Sequence, residues 1–203
     1  MEKNLNHEES LMIISEMINR ARNNVQNERT YSMIFWGYTI AVVALVNFVL
    51  FNTLENFYQS FLVWFAVIPA WGISYLIERR IDRTALVKTH IDKISDMIWK
   101  GFGIGTIVIM VSFFATSVLT KTFIFMMLTN PIIMCMIGIC EFATAVVYRY
   151  NKWYWVAALF WTGAVICVFL NVDKQFIVLA VCMLCGFVIP GHLLNHQSKK
   201  NNV

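Results

Sequence analysis

The stretch of sequence that decides the fold is ERRIDRTALVKTHIDKISDMIWK, residues 78–100. It is the one long charged stretch between otherwise apolar blocks, and it carries six basic residues, Arg79, Arg80, Arg83, Lys88, Lys93 and Lys100. On both sides it is flanked by apolar runs of about 20 residues, the length that a helix needs to cross a bilayer. A basic segment in that position is expected to stay in the cytosol and so to fix the direction of every other segment.

The composition places the chain among integral membrane proteins. Of its 203 residues, 59% are apolar and only 14% are charged, and the mean hydropathy is +0.62. Soluble globular domains carry about 25% charged residues, so this chain has too little polar surface for a soluble globule. The net charge of +4 is modest. Because the basic residues lie beside apolar spans rather than in a compact basic domain, anionic headgroups are a better partner for them than nucleic acid.

The apolar runs predict an all-α, polytopic integral membrane protein with six transmembrane helices arranged as three antiparallel hairpins. We divide the chain into a cytosolic N-terminal amphipathic helix (1–30), a first hairpin (31–77), a basic cytosolic amphipathic helix (78–100), a second hairpin (101–148), a third hairpin (149–195) and a cytosolic tail (196–203). One proline falls in each returning helix, which could indicate a threefold internal repeat of the kind found in transporters. These prolines are Pro69, Pro131 and Pro190.

The basic residues are distributed very unevenly between the two sides of this arrangement. Fourteen of the sixteen lysines and arginines fall on the side of the basic stretch, whereas only Lys121 and Lys174 fall on the other side. Lysine and arginine are enriched in cytoplasmic loops. Both termini are therefore expected in the cytosol, and the connections on the other side are too short to form a domain.

Two cytosolic segments have the apolar spacing of amphipathic helices, with a residue on one face every three or four positions. The N-terminal seam consists of Leu11, Ile14 and Ile18, and the central seam consists of Val87, Ile91, Ile94 and Ile98. Such seams can lie in the headgroup layer, pack on the bundle, pair with a second copy or bind a cytosolic protein. We take both seams as the candidate partner-binding surface. The candidate residues for anionic lipid are Arg79, Arg80 and Arg83.

Glu141 is the one charged residue that is expected within the hydrocarbon layer. An acidic side chain there is costly, stays largely protonated or paired, and usually faces protein or water rather than lipid. Its helical neighbours Gly138, Thr144 and Ala145 are small or weakly polar, so this face is expected to point inward. Glu141 and Thr144 are thus the candidate intramembrane polar site. The two interpretations are a proton or ligand site and a carboxyl group that is hydrogen-bonded within the bundle.

All five cysteines are expected inside membrane helices, and Cys182 and Cys185 form a CxxC pair on one helical face. Membrane thiol oxidoreductases that act on quinones carry such pairs, but they exchange disulfides with a thiol outside the membrane. No connection of this chain contains a cysteine, so packing is the favoured interpretation. The histidines lie far in sequence from the thiols, and no phosphate-binding loop or catalytic triad stands out. No metal or cofactor is therefore expected.

Parts of the chain resemble a family of uncharacterised small bacterial inner-membrane proteins. The stretches that carry the resemblance are MINRARNNV (17–25), YSMIFWGY (31–38), TNPIIMCMIGICEFATAVVY (129–148) and VCMLCGFVIPGHLLNH (181–196). The resemblance covers nearly the whole chain. It implies a six-helix fold in the bacterial inner membrane, encoded beside small helix-turn-helix or winged-helix regulators. Because the shared motifs are packing motifs, the resemblance transfers no catalytic residue.

Two classes of function follow from these features. We expect a non-enzymatic membrane module, regulatory or sensory, whose cytosolic amphipathic helices hold a cytosolic protein or a second copy of the chain. The alternative is a carrier or channel for a small solute that uses Glu141, although the sparse polar lining argues against an aqueous ion pore. A membrane thiol oxidoreductase that uses Cys182 and Cys185 is a more distant alternative.

Overall fold

The computed structural model describes the backbone of residues 7–84, 90–122, 124–149 and 151–201, and the side chains of most residues in 30–80 and 93–196. Over the described residues the protein is 94% helix and contains no strand. The predicted all-α class is confirmed.

The α-helices follow one another with few residues between them. They are α1 (His7–Thr53), α2 (Val67–Thr84), α3 (His90–Thr120), α4 (Ile124–Tyr148), α5 (Tyr154–Val168), α6 (Val172–Met183) and α7 (Ile189–Asn201). Three other helical segments complete the described part of the chain: a 3-10 helix at Phe57–Ala66, a 3-10 turn at Asn151–Trp153 and a π-helix at Leu184–Val188.

Five stretches of the described chain are long and apolar enough to cross a membrane. They are Thr30–Thr53, Gln59–Arg80, Lys93–Thr120, Ile124–Tyr148 and Val172–His196. The remaining apolar helix, α5, has only 15 residues, which corresponds to about 22 Å against a hydrocarbon layer of about 30 Å. It is short because a 3-10 turn precedes it and because the backbone is extended again at Asn171, the N-cap of α6.

One continuous helix covers both the N-terminal amphipathic segment and the first apolar stretch. Helix α1 has 47 residues, whereas the apolar stretch within it begins only at Thr30. No glycine or proline occurs between His7 and Trp36, so no residue there breaks the helix.

Helix α6 lies among several other helices and organises the core. It contacts α1, α4 and α5, while α1 also packs along the π-helix and α7. Phe176 of α6 is fully buried, and its ring lies 6.1–6.4 Å from the rings of Phe51, Phe61 and Trp64. Helix α2 packs on α1, and α3 packs on α4. Both α2 and α3 leave large apolar side chains exposed, as expected where the solvent is lipid.

The prolines lie in α2, α4 and α7, and two of them, Pro69 and Pro190, lie next to irregularities of the backbone. Pro69 is the third residue of α2, where the missing N–H is tolerated, and the change from 3-10 to α geometry occurs just before it. Pro190 is the second residue of α7, which follows the π-helix directly. It cannot donate to the carbonyl of Gly186 and its ring crowds that carbonyl. The wider π turn accommodates this crowding.

Helices α3 and α4 both end at a basic residue in the left-handed conformation. The φ angle is 53° at Lys121 and 51° at Arg149. A left-handed residue directly after the last turn is a common way to stop a helix, although glycine is the usual residue there. The two connections that follow are consequently short.

Candidate functional site

Glu141 lies on the face of α4 that is buried in the bundle. Its side chain is 1% exposed, and the neighbours on the same face, Ile137, Gly138, Thr144 and Ala145, are buried as well. The face therefore points inward, as its composition predicted. A carboxyl group in such an environment is expected to be neutral or to share a hydrogen bond. Whether it serves as a proton or ligand site stays a prediction.

The hydroxyl group of Thr144 is arranged by its own helix. Its Oγ1 donates a hydrogen bond to the carbonyl oxygen of Cys140 at 2.6 Å. Because the hydroxyl proton is used in this bond, the group that Thr144 can offer to its surroundings is the lone pairs of Oγ1. The predicted polar site thus contains a carboxyl group and a hydroxyl acceptor within one turn of α4.

A close contact between α4 and α5 lies one turn before Glu141. A Cβ atom added at Gly138 would lie 2.5 Å from Cδ1 of Trp161, so only glycine lets the indole ring approach. The indole Nε1 donates to the carbonyl oxygen of Cys135 at 3.3 Å. The aromatic ring therefore closes the α4–α5 interface on this side of the candidate site.

The described residues include only part of the candidate partner-binding surface. Ile94 and Ile98 are half-buried in the first turns of α3, and Arg79 and Arg80 are exposed near the end of α2. The other seam residues are helical where the backbone is described, but their side chains fall outside the described residues; these are Leu11, Ile14, Ile18 and Ile91, together with Arg83. Val87 lies outside the described residues altogether.

The two cysteines of the CxxC pair differ in burial. Cys182 in α6 is buried, whereas Cys185 in the π-helix is half-buried, and both are free thiols. All five cysteines of the chain lie in helices. The structure thus adds no exchange thiol in a connection, and the oxidoreductase alternative stays a hypothesis.

The sequence reasoning missed a buried polar cluster between α1 and the first 3-10 helix. The side-chain amide nitrogen of Asn47 faces Ser60 and donates to the Oγ atom of Ser60 at 3.0 Å and to the carbonyl oxygen of Ser60 at 3.2 Å. The side-chain amide oxygen of Asn47 accepts from Nε1 of Trp64 at 2.6 Å. Asn47 and Ser60 are both fully buried. The available signal was a single amide residue in the run AVVALVNFVLF, because buried amides in membrane helices commonly bond across helices.

A second missed residue, Gln175, bonds to the turn at the C-terminal end of α5. Its buried Nε2 donates to the carbonyl oxygens of Cys167 at 3.0 Å and Leu170 at 3.2 Å. The carbonyl oxygen of Cys167 also accepts from the backbone N–H of Leu170 at 3.1 Å, so Gln175 adds a side-chain bond to the turn that ends α5. Oε1 of Gln175 has no hydrogen-bond partner among the described residues. Gln175 thus bonds to this turn and keeps one unused acceptor.

The fold and the site define an all-helical protein suited to a membrane environment, in which the carboxyl group of Glu141 is buried. In the part of the chain that the structure describes, no group of three or more His, Cys, Asp or Glu side chains is placed to hold a metal ion. Comparison with protein-family models, with curated proteins and with solved structures finds no match for this chain.

Proposed function

We propose that the chain is a bacterial inner-membrane protein with six transmembrane helices, paired as three antiparallel hairpins, and with both termini in the cytosol. It acts without catalysis, as a regulatory or sensory module whose N-terminal and central seams bind a cytosolic protein or a second copy of the chain. Anionic headgroups hold Arg79, Arg80 and Arg83. The family resemblance, with regulators encoded nearby, supports a cytosolic regulatory protein as the partner, without direct contact of this chain with nucleic acid.

The observation that carries this proposal is the continuity of α1. The 23 residues from His7 to Arg29 precede the apolar stretch and belong to the same helix, and they span about 35 Å. A continuous helix contains no hinge. A shift or rotation of the membrane part therefore moves the N-terminal seam with it, which is what a sensory module requires.

The topology can be tested with alkaline phosphatase fusions, which are active only outside the cytosol. We expect activity for fusions after Lys121 and Asn171 and none for fusions after Arg80 and Arg149, because the basic residues should remain in the cytosol. The Asn171 fusion is decisive for the short helix α5. An inactive fusion at that position, together with an active one at the C-terminus, would remove α5 from the set of spans.

Partner binding can be tested by placing charges in the N-terminal seam. The double variant Ile14→Lys, Ile18→Lys should reduce recovery of the bound protein at least about tenfold in a mild-detergent purification, since burying one isoleucine is worth about 1.5–3 kcal/mol. Quantitative mass spectrometry identifies a cytosolic partner, and light scattering reports a second copy.

The matched control is the double variant Asn19→Lys, Asn23→Lys. It adds the same charge at the same spacing, but about 120–160° away from the seam around the helix. It should bind like the unmodified protein. Equal recovery with the seam variant and with this control would show that the N-terminal seam is not the binding surface.

Transport is the second candidate, and the burial of Glu141 beside Thr144 is the observation that favours it. A carrier that uses this carboxyl group as a proton site should conduct protons in liposomes that contain a pH-sensitive dye, and Glu141→Gln should abolish the flux because the amide has no titratable proton. If the proton flux with the unmodified protein is no higher than in empty liposomes, the result would count against transport and would leave the regulatory or sensory module as the proposed function.

A further inference from the structure

Two aromatic side chains of α2 stack on each other instead of packing into the bundle. The ring centroids of Trp71 and Tyr75 are 6.3 Å apart, and the two ring planes differ by 23°. Trp71 is 66% exposed and Tyr75 is 54% exposed. The residues that precede them, Ala70 and Ser74, are buried. Trp71 and Tyr75 therefore form a flat aromatic platform on the outward face of α2.

An exposed arginine, Arg79, lies one helical turn after the aromatic platform. With 3.6 residues per turn, Arg79 is rotated by only about 40° from Tyr75 and lies about 6 Å further along the helix axis. Arg80 is also exposed, but it is rotated by about 180° from Trp71. Of these two arginines, Arg79 is therefore the one that adjoins the aromatic platform.

The charge beside the aromatic platform is positive. Arg79 has no ion-pair partner among the described residues, and the hydroxyl group of Tyr75 has no hydrogen-bond partner among them. The carboxylate of Glu78 accepts a hydrogen bond from the Oγ atom of Ser74 at 3.1 Å, and Ser74 lies on the buried side of α2. The guanidinium of Arg79 and the hydroxyl of Tyr75 can thus donate hydrogen bonds to a molecule outside the chain.

We propose that Trp71, Tyr75 and Arg79 form a binding site for one anionic phospholipid of the cytosolic leaflet. The choice of leaflet rests on the topology in the proposed function, whereas the site itself uses none of the seam residues. The guanidinium of Arg79 donates charge-assisted hydrogen bonds to the lipid phosphate. The hydroxyl of Tyr75 donates to an ester carbonyl oxygen, and the upper part of an acyl chain lies on the aromatic platform.

The order of the three side chains along α2 matches the order of groups in a phospholipid. Tyr75 lies about 6 Å and Trp71 about 12 Å from Arg79 along the axis, so the site runs from the headgroup through the ester region to the acyl chain. Tyrosine suits a position that is apolar at one end and polar at the other. Both rings are rigid, so little conformational freedom is lost when a chain packs on them. A free phosphate ion would gain nothing from the aromatic platform.

The test uses the full-length protein in a nonionic detergent, titrated with phosphatidylglycerol or with phosphatidylcholine of identical acyl chains. Native mass spectrometry counts the lipids bound to each chain. We expect the first phosphatidylglycerol to bind about fivefold more tightly than phosphatidylcholine, because that factor is typical of one basic residue near an anionic headgroup. The titration needs neither a bilayer nor a cytosolic partner, so its failure would leave the proposed function standing.

Three variants of exposed residues, which should leave folding unaffected, assign the roles. Arg79→Gln should abolish the preference for phosphatidylglycerol, so that both lipids bind equally. Trp71→Leu should weaken the binding of both lipids by the same factor, about threefold, because their acyl chains are identical. The matched control is Arg80→Gln, which removes the same charge from the side of α2 opposite Trp71 and should weaken phosphatidylglycerol binding less than about twofold.

The proposal is overturned if the unmodified protein binds phosphatidylglycerol and phosphatidylcholine equally well. Equal losses in Arg79→Gln and Arg80→Gln would have the same consequence, because binding would then follow the total charge rather than this face of α2. Unchanged lipid binding in Trp71→Leu would also overturn it. If light scattering then showed that this variant had lost a dimer, the face would belong to a second copy of the chain.

Discussion

The buried amide of Asn47 joins α1 to the 3-10 helix before α2, and its removal should weaken that contact by a measurable amount. The amide makes three hydrogen bonds, two to Ser60 and one to the indole of Trp64. Hydrogen bonds between membrane helices average about 0.6 kcal/mol and reach about 1.7 kcal/mol. Asn47→Leu should therefore lower the free energy of unfolding by about 1–2 kcal/mol, since the leucine is itself compatible with an apolar environment.

A double-mutant cycle isolates the bond to the indole. The variants are Asn47→Leu, Trp64→Phe and the combination, each unfolded in mixed micelles by increasing the fraction of sodium dodecyl sulfate. The bond to Nε1 of Trp64 is short, 2.6 Å, so we expect a coupling energy in the upper part of the range, about 1–1.7 kcal/mol.

The matched control is Asn52→Leu in the same helix. Asn52 is exposed, and its amide donates only to the carbonyl oxygen of Phe48 at 2.8 Å, within α1. Its replacement should change the unfolding free energy by less than about 0.5 kcal/mol. A coupling energy of zero between Asn47 and Trp64, or equal effects of Asn47→Leu and Asn52→Leu, would refute the assignment of this cluster.

The remaining predictions concern backbone positions and use the same unfolding assay. Gly138→Ala should destabilise the protein by about 1–3 kcal/mol, because the new Cβ atom overlaps the indole of Trp161, whereas Gly72→Ala, with no atom within 4 Å of its Cβ position, should be neutral or stabilising by up to about 1 kcal/mol. Similar results for the two glycines would contradict the close α4–α5 contact. Arg149→Gly should stabilise the protein by about 1 kcal/mol, because it relieves a left-handed backbone with φ of 51°; a loss of stability would count against that helix end.

The inward face of α4 could be predicted from the sequence because side-chain size follows the helical period there. Gly138 and Thr144 lie on the buried face, whereas the bulky Ile139, Phe142 and Val146 are exposed. Small residues permit close helix contact, and large apolar residues suit lipid. The polarity and spacing of the residues around Glu141 were therefore enough to predict which face of α4 points into the bundle.

The contacts between distant helices could not be predicted in the same way. Most of these helices are apolar on all sides, so hydrophobic periodicity does not say which face meets which neighbour. Met134 and Cys167, for example, are 33 residues apart and meet only because α4 and α5 pack closely. The length of α5 could not be predicted either, because the turn at its C-terminal end is bonded by Gln175 from the next helix.

The π-helix at Leu184–Val188 affects how the apolar stretch Val172–His196 meets α1. One extra residue in a helical turn offsets everything after it by about 100° around the axis. Val188, the last residue of the π-helix, packs against Gly37 of α1. Gly191, in α7, packs against Ile34 of α1. The π-helix thus sets the rotation at which the C-terminal half of this stretch packs against α1. Deletion of a single residue there would leave the hydropathy of the helix almost unchanged, yet turn its C-terminal half away from α1.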